Sequence, residues 1–149
     1  MSLKPDVETR SAFPHFCSIA TRWMDADAYR HVNNVVYYSY FDTAVNEYLI
    51  EQGVLDVDQG AVIGLVVESQ CRYFSPINFP DKIQVGLRAG HIGNSSVRYE
   101  LGVFIEGQEQ AAAQGHFVHV YVDRASMRPT PLPQALRQAV TAIAAASSK

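Results

Sequence analysis

One stretch of helical apolar spacing stands alone in this chain, and after it the period changes to two. Between Asn33 and Gln52, residues Tyr37, Phe41, Ala44, Val45, Tyr48 and Leu49 recur at helical spacing, with Asp42, Asn46 and Glu47 between them. That is a single wide apolar stripe on a helix about 27 Å long, at about 1.5 Å per residue. Asn33 or Asn34 can cap its start by accepting a bond from a free backbone N–H, and Gly53 suits the left-handed position past its end. A lone helix with one apolar stripe must bury that stripe against something else, and everything else in the chain reads as strand.

A first strand is expected from His15 to Met24, where residues alternate before the helix. After the helix, Ile63, Leu65, Val67, Ser69, Cys71 and Tyr73 alternate with Val62, Gly64, Val66, Glu68, Gln70 and Arg72. The first half of this strand is apolar on both faces, so its middle is expected to be covered on both sides. Pro76, Asn78 and Pro80 break the pattern, and Ile83, Val85, Leu87 and Ala89 restart it as a half-buried strand. Gly90 to Ser95 forms a turn, Val97 to Ile105 another strand, Gly107 a hairpin, and Ala111 to Val122 the last strand. Pro131 and Pro133 open a final amphipathic helix carrying Leu132, Leu136, Ala139, Val140 and Ile143. Strands joined by such short links pair antiparallel. The expected architecture is α+β, an antiparallel five-stranded sheet curled around one long helix, in a single domain over 1–149 with loose termini at 1–13 and 145–149.

Composition narrows the function. At 149 residues, 48% hydrophobic and 18% charged, the chain suits one well-cored globule. Its 12 Lys and Arg against 15 Asp and Glu leave a net charge of -3, which provides no overall field for nucleic acid, though a few local donors suffice for a short phosphate-bearing ligand. Cys17 and Cys71 lack the density of a disulfide framework and the spacing of a zinc site, and read as small buried hydrophobes. His116 and His119 lie on opposite faces of the last strand and cannot share a metal. Residues 1–14 carry no apolar leader and no stretch has the length of a membrane span, so the expectation is a cytoplasmic protein with no membrane or nucleic-acid partner.

Reactive side chains are densest between Arg22 and Tyr37, just ahead of the long helix. Carboxylates there precede a helix N-terminus, where free N–H groups and the macrodipole favour developing negative charge, as an oxyanion hole does. A nearby carboxylate can attack a carbonyl so held, or activate water against it. The same residue types are also ordinary loop and cap residues. Asp25 can work in the chemistry or simply pair with Arg22; His31 can orient substrate or pack beside the helix; Tyr37 can line a pocket or fill the core. Glu68, inside an otherwise apolar strand, demands a partner or an open sheet flank.

The run Asp25-Ala-Asp27, with His31-Val-Asn-Asn34, Tyr37 and Phe41, resembles the signature of hotdog-fold acyl-CoA thioesterases of the 4-hydroxybenzoyl-CoA thioesterase type. The likeness continues through Tyr73-Phe-Ser-Pro76, Pro80-Asp81 and Gly93-Asn-Ser-Ser96, and covers about residues 14–125. It implies that Asp27 is the catalytic carboxylate, as nucleophile or general base, that the backbone N–H of Asn34 holds the thioester oxygen, and that His31 assists. It also implies that CoA lies against the turn containing Gly93, Asn94 and Ser95, with Arg88 and Arg98 flanking and Tyr37 lining the acyl pocket. The implied substrate is an acyl-CoA or acyl-carrier thioester, cleaved without metal or other cofactor by a homodimer or homotetramer. Arg30 departs from the pattern, standing where the family usually has Gly before His31. A binding module that holds a thioester without cleaving it, and a hotdog hydratase or dehydratase, are the rival readings; the HVNN run speaks against the second.

Overall fold

The computed structural model describes residues 6–145. Its elements are β1 (His15–Ala20), α1 (Val36–Glu51), β2 (Val62–Tyr73), β3 (Lys82–Ile92), β4 (Ser96–Ile105), β5 (Ala113–Asp123) and α2 (Gln134–Thr141). The five strands form one sheet in the order β1-β3-β4-β5-β2, with every neighbouring pair antiparallel. This is the α+β hotdog arrangement that the switch of apolar period leads one to expect.

The stripe on α1 packs onto the concave face of the sheet, with Phe41, Ala44 and Val45 fully buried and Tyr37, Tyr40, Tyr48 and Leu49 nearly so. Each large apolar side chain buried there contributes about 1.5–3 kcal/mol by leaving water. Val85, Leu87, Val97, Tyr99, Leu101 and Phe117 rise from the strands to meet them. Along β5, Phe117, His119 and Tyr121 therefore face the helix while His116 and Val118 face outward, as the alternation of a strand requires. The C-terminal segment closes one end: Leu136 and Val140 of α2 are buried, and Tyr48 donates a 2.7 Å hydrogen bond to the carbonyl of Ala139.

Four local expectations need correction. The first strand stops at Ala20 rather than Met24, because Thr21 turns to bond the Asp81 carbonyl and the chain enters a short 3-10 turn at Trp23–Asp25. Helix α1 begins at Val36 rather than beside Asn33, whose own carbonyl and side chain are spent on the N–H groups of Val36 and Val35. The middle of β2 is not covered on both sides: β2 is an edge strand, and Val66 and Val67 are 48% and 60% exposed around a bulge. Residues 6–13 are not loose. They cross the convex face, where Phe13 sits over Gly86 and Gly102; a Cβ on either glycine would come within 2.7–2.8 Å of its side chain. Ala145 is likewise held, its N–H bonding the Ala89 carbonyl at 2.8 Å, and the remaining positions expected to be loose, 1–5 and 146–149, lie outside the described residues.

Candidate active site

The loop between β1 and α1 is tied at both ends before it offers anything to a ligand. Asp25 is 1% exposed and accepts from the Arg22 backbone N–H at 2.9 Å, the Arg22 side chain at 3.0 Å and the Tyr40 hydroxyl at 2.8 Å. Burial works against its charge, but these donors outweigh it and hold its carboxyl below the usual range. Asp25 is thus committed to the fold. Val32 N–H bonds the Ile77 carbonyl at 2.7 Å and Asn33 N–H the Asp25 carbonyl at 2.8 Å, so His31, Val32 and Asn33 are strapped between the segment before β3 and the 3-10 turn.

Asp27 lies in the middle of this loop and is only partly committed. Its backbone N–H bonds the His31 carbonyl at 2.8 Å, and its Oδ1 accepts from the N–H groups of Tyr29 at 2.8 Å and His31 at 3.3 Å. Its Oδ2 has no partner among the described residues. The tight turn that achieves this puts Arg30 at φ 66, the left-handed conformation anticipated for a position where the family has Gly, at a cost of about 1 kcal/mol.

Asp27 lines a cleft of about 390 Å³ with His31, Asn34, Tyr37, Tyr73 and Ser75, among others. Asn34 stands two residues before α1, and its N–H has no partner among the described residues, whereas the N–H groups of Val35 and Val36 are taken by Asn33. A residue with a free amide donor at a helix start therefore lines the same cleft as a residue with a free carboxylate oxygen. His31 is exposed at the rim. Tyr37 both fills the core, at 3% exposed, and forms a cleft wall; burial pushes its hydroxyl up to about 12, so it is a neutral donor. Tyr73 and Ser75 are cleft residues that no role was assigned from sequence. Tyr73 packs edge-on against Tyr37, with ring centroids 5.0 Å apart, and its hydroxyl donates to the Asn34 carbonyl at 3.3 Å. Its inward position at the end of β2, next to the break at Pro76, was the available signal.

The other expected binding residues are elsewhere. Gly93, Asn94 and Ser95 form the β3–β4 turn, at the opposite end of β3 from the Asp27 loop, roughly 30 Å away along the strand. The turn is braced from behind: Arg137 bonds the Gly93 carbonyl at 2.9 Å and Leu132 N–H the Asn94 carbonyl at 2.9 Å, while the N–H groups of Asn94 and Ser95 have no partner among the described residues. Arg88 departs from its expected place beside a phosphate. It points to the convex face, where it pairs with Glu8 at 2.6 Å and Glu100 at 2.7 Å and lies over the Phe13 ring. Arg98 is bonded to Glu100 at 2.8 Å. Glu68 finds the partner it required in His116, across the β2–β5 pair. Burial pushes the thiols of Cys17 and Cys71 up to about 12 and about 11, so both stay protonated and inert.

The chain belongs to the thioesterase-like superfamily, whose family model matches residues 21–140. Among solved structures it is similar to the PA5185 protein of Pseudomonas aeruginosa strain PAO1, at 55% identity over 96% of this chain and 100% of that one, with a TM-score of 0.93. It is also similar to a thioesterase from Thermus thermophilus in complex with coenzyme A and Zn, at 32% identity over 89% of this chain and 95% of that one, with a TM-score of 0.73. It shares its fold with a 1,4-dihydroxy-2-naphthoyl-CoA thioesterase from Synechocystis, at 16% identity over 85% and 94% of the two chains and a TM-score of 0.78. Among the described residues, no group of three or more His, Cys, Asp or Glu is placed to hold a metal, and no helix is long and apolar enough to cross a membrane.

Proposed function

We propose that this protein is a cytoplasmic acyl-CoA thioesterase, hydrolysing its substrate to a free acid and CoA. The observation that carries the reading is the pairing of a free carboxylate oxygen on Asp27 with a free N–H on Asn34 across one cleft. A thioester carbonyl at the helix start accepts from the Asn34 N–H, which stabilises the charge that gathers on oxygen as the carbon becomes tetrahedral. In the general-base route, water attacks the carbon and gives its proton to Asp27 Oδ2. Collapse of the intermediate breaks the C–S bond, and the departing thiolate takes that proton. In the nucleophilic route, Oδ2 itself attacks, the thiolate leaves, and water hydrolyses the acyl-aspartyl anhydride. Both need Oδ1 pinned and Oδ2 free, which the two N–H donors from Tyr29 and His31 accomplish. His31 sits at the rim, within reach of a substrate entering the cleft.

Membership of a thioesterase superfamily and likeness to a thioesterase that binds coenzyme A support a CoA ester as substrate. The unpartnered amides of Asn94 and Ser95 make the β3–β4 turn a candidate phosphate cradle. Because that turn lies at the far end of β3, a turn of one protomer serves the cleft of another. The long open edge of β2, with Val66 and Val67 exposed, is the surface by which two copies pair.

The test is a thiol-release assay over aliphatic and aromatic acyl-CoA substrates. Asp27→Asn is expected to keep the fold and lower turnover at least about a hundredfold; a folded variant with near wild-type turnover removes Asp27 from the mechanism. Sedimentation equilibrium is expected to show a dimer or tetramer at micromolar concentration, and a monomer would rule out any site shared between protomers.

A further inference from the structure

Tyr73 lines the Asp27 cleft from the end of β2, and nothing in the proposed chemistry uses it. Its place is set by the sheet. It pairs with Ala113 of β5, and the next two residues, Phe74 and Ser75, both donate their N–H groups to the Ala112 carbonyl, at 2.8 and 3.1 Å. Its ring packs edge-on against Tyr37 of α1, with centroids 5.0 Å apart. Backbone and ring are thus tied to sheet and helix, and the hydroxyl reaches the Asn34 carbonyl at 3.3 Å. A carbonyl oxygen only accepts, so Tyr73 is the donor; burial raises its hydroxyl above the usual range and keeps it protonated for that task.

The peptide groups on either side of the Asn34 Cα are each held. A trans peptide carries its C=O and its N–H on opposite sides. The Asn33 carbonyl turns into the start of α1 and accepts from the Val36 N–H at 2.9 Å, so the N–H of the same peptide, that of Asn34, is directed away from the helix. On the following peptide the Val35 N–H bonds Asn33 Oδ1 at 3.2 Å, and the Asn34 carbonyl accepts from Tyr73. Two of these three ties lie within residues 33–36; the third comes from β2, 39 residues further along the chain. Local bonds fix the shape of this turn, and the bond from β2 fixes the Asn34–Val35 peptide against the sheet.

We propose that Tyr73 is a positioning residue for the oxyanion donor: its hydroxyl holds the Asn34–Val35 peptide and, through the shared Cα, the direction of the Asn34 N–H. The inference rests on the thioesterase reading of the Asp27 cleft. An oxyanion donor works only when aimed at the place where charge develops, and a displacement of about 1 Å at such a group can cost about a hundredfold in rate. Removing one tie of three loosens the donor without deleting it, so the expected loss is smaller, about tenfold. It falls on kcat, because the donor acts on charge that gathers in the transition state and that the bound ester has yet to develop.

The experiment measures kcat and KM for the wild type, Tyr73→Phe, Asn34→Pro and the double variant, with the best of a panel of aliphatic and aromatic acyl-CoA esters. Tyr73→Phe keeps the ring against Tyr37, and should lower kcat about tenfold while leaving KM within about twofold. In the Asn34→Pro background, where the N–H is already gone, the same change should cost nothing further. A packing role alone would give the same loss in both backgrounds. Near wild-type kcat in folded Tyr73→Phe, or an undiminished loss in the Asn34→Pro background, would overturn the proposal. A second measurement serves if Asn34→Pro does not fold. In a backbone proton–nitrogen spectrum, Tyr73→Phe should shift the amide signal of Val35, whose nitrogen shares a peptide with the Asn34 carbonyl, and that of Asn34 itself. Unmoved signals at both positions also overturn it. Full turnover in Asn34→Pro, or none in the wild type with any ester, counts against the thioesterase reading of the cleft instead, and the two amide signals then decide whether Tyr73 holds that peptide.

Discussion

The two faces of the sheet treat polar groups in opposite ways. On the convex face a network of charges is paired, Arg88 with Glu8 and Glu100 and Arg98 with Glu100, and Glu68 hydrogen-bonds His116. On the concave side, polar atoms without a partner among the described residues include the Oδ2 of Asp27 and the N–H of Asn34 at the cleft, and the buried Nε2 of His119. Native structures seldom leave a buried group such as the His119 Nε2 unsatisfied, whereas Asp27 and Asn34 are open to solvent and to a ligand. The paired charges of the convex face stabilise this chain, and the free groups at the Asp27 cleft are the ones that the proposed chemistry would use.

That contrast can be broken most sharply at the helix start. Asn34→Ala removes only a side chain, and turnover should change modestly. Asn34→Pro removes the N–H itself at a position where no helical hydrogen bond needs it, and turnover should fall by on the order of a hundredfold or more in protein matched for folded content by circular dichroism. Equal turnover in the two variants would mean that the helix start does not hold the oxyanion.

The buried, unpartnered imidazole of His119 has a cost in acid. Burial depresses the pKa of His119 to about 4, with the Asp42 charge opposing the shift only weakly. As pH falls below about 6.5 the unfolded chain takes up a proton on this residue that the native state refuses. Stability is therefore full above that pH and is lost down to about 4, by up to about 3 kcal/mol. Urea unfolding between pH 7 and 4 should show this slope for the wild type and a flatter one for His119→Phe. Identical slopes would mean that His119 ionises freely in the folded protein.

The smallest expected effect lies on the matched face. Arg88→Met leaves Glu8 and Glu100 facing one another in a half-buried setting and should lower stability by about 1–3 kcal/mol, with kcat and KM unchanged. A raised KM for acyl-CoA with unaltered stability would reverse the comparison and return Arg88 to the binding site.

Much of this protein was decided within its own sequence. The single apolar stripe of α1 and the sustained alternation after it leave few ways to bury both, and the wrapped sheet is the simplest of them. The Asp27 turn is equally local: residues 27 to 31 bond one another, so their chemistry was visible in a short segment. Long-range placement was not visible. An alternating strand reads the same in the middle of a sheet as at its edge, and only the pairing order exposed Val66 and Val67 on β2. Arg88 looked free for a phosphate because its partner Glu8 is 80 residues away. His119 looked like one more inward residue of β5 until Gly64, on the neighbouring strand, left a space beside it. Periodicity and turn chemistry act over a few residues and can be read along the chain; which groups find partners, and which are left facing a cavity, depends on contacts that exist only once the sheet has closed around its helix.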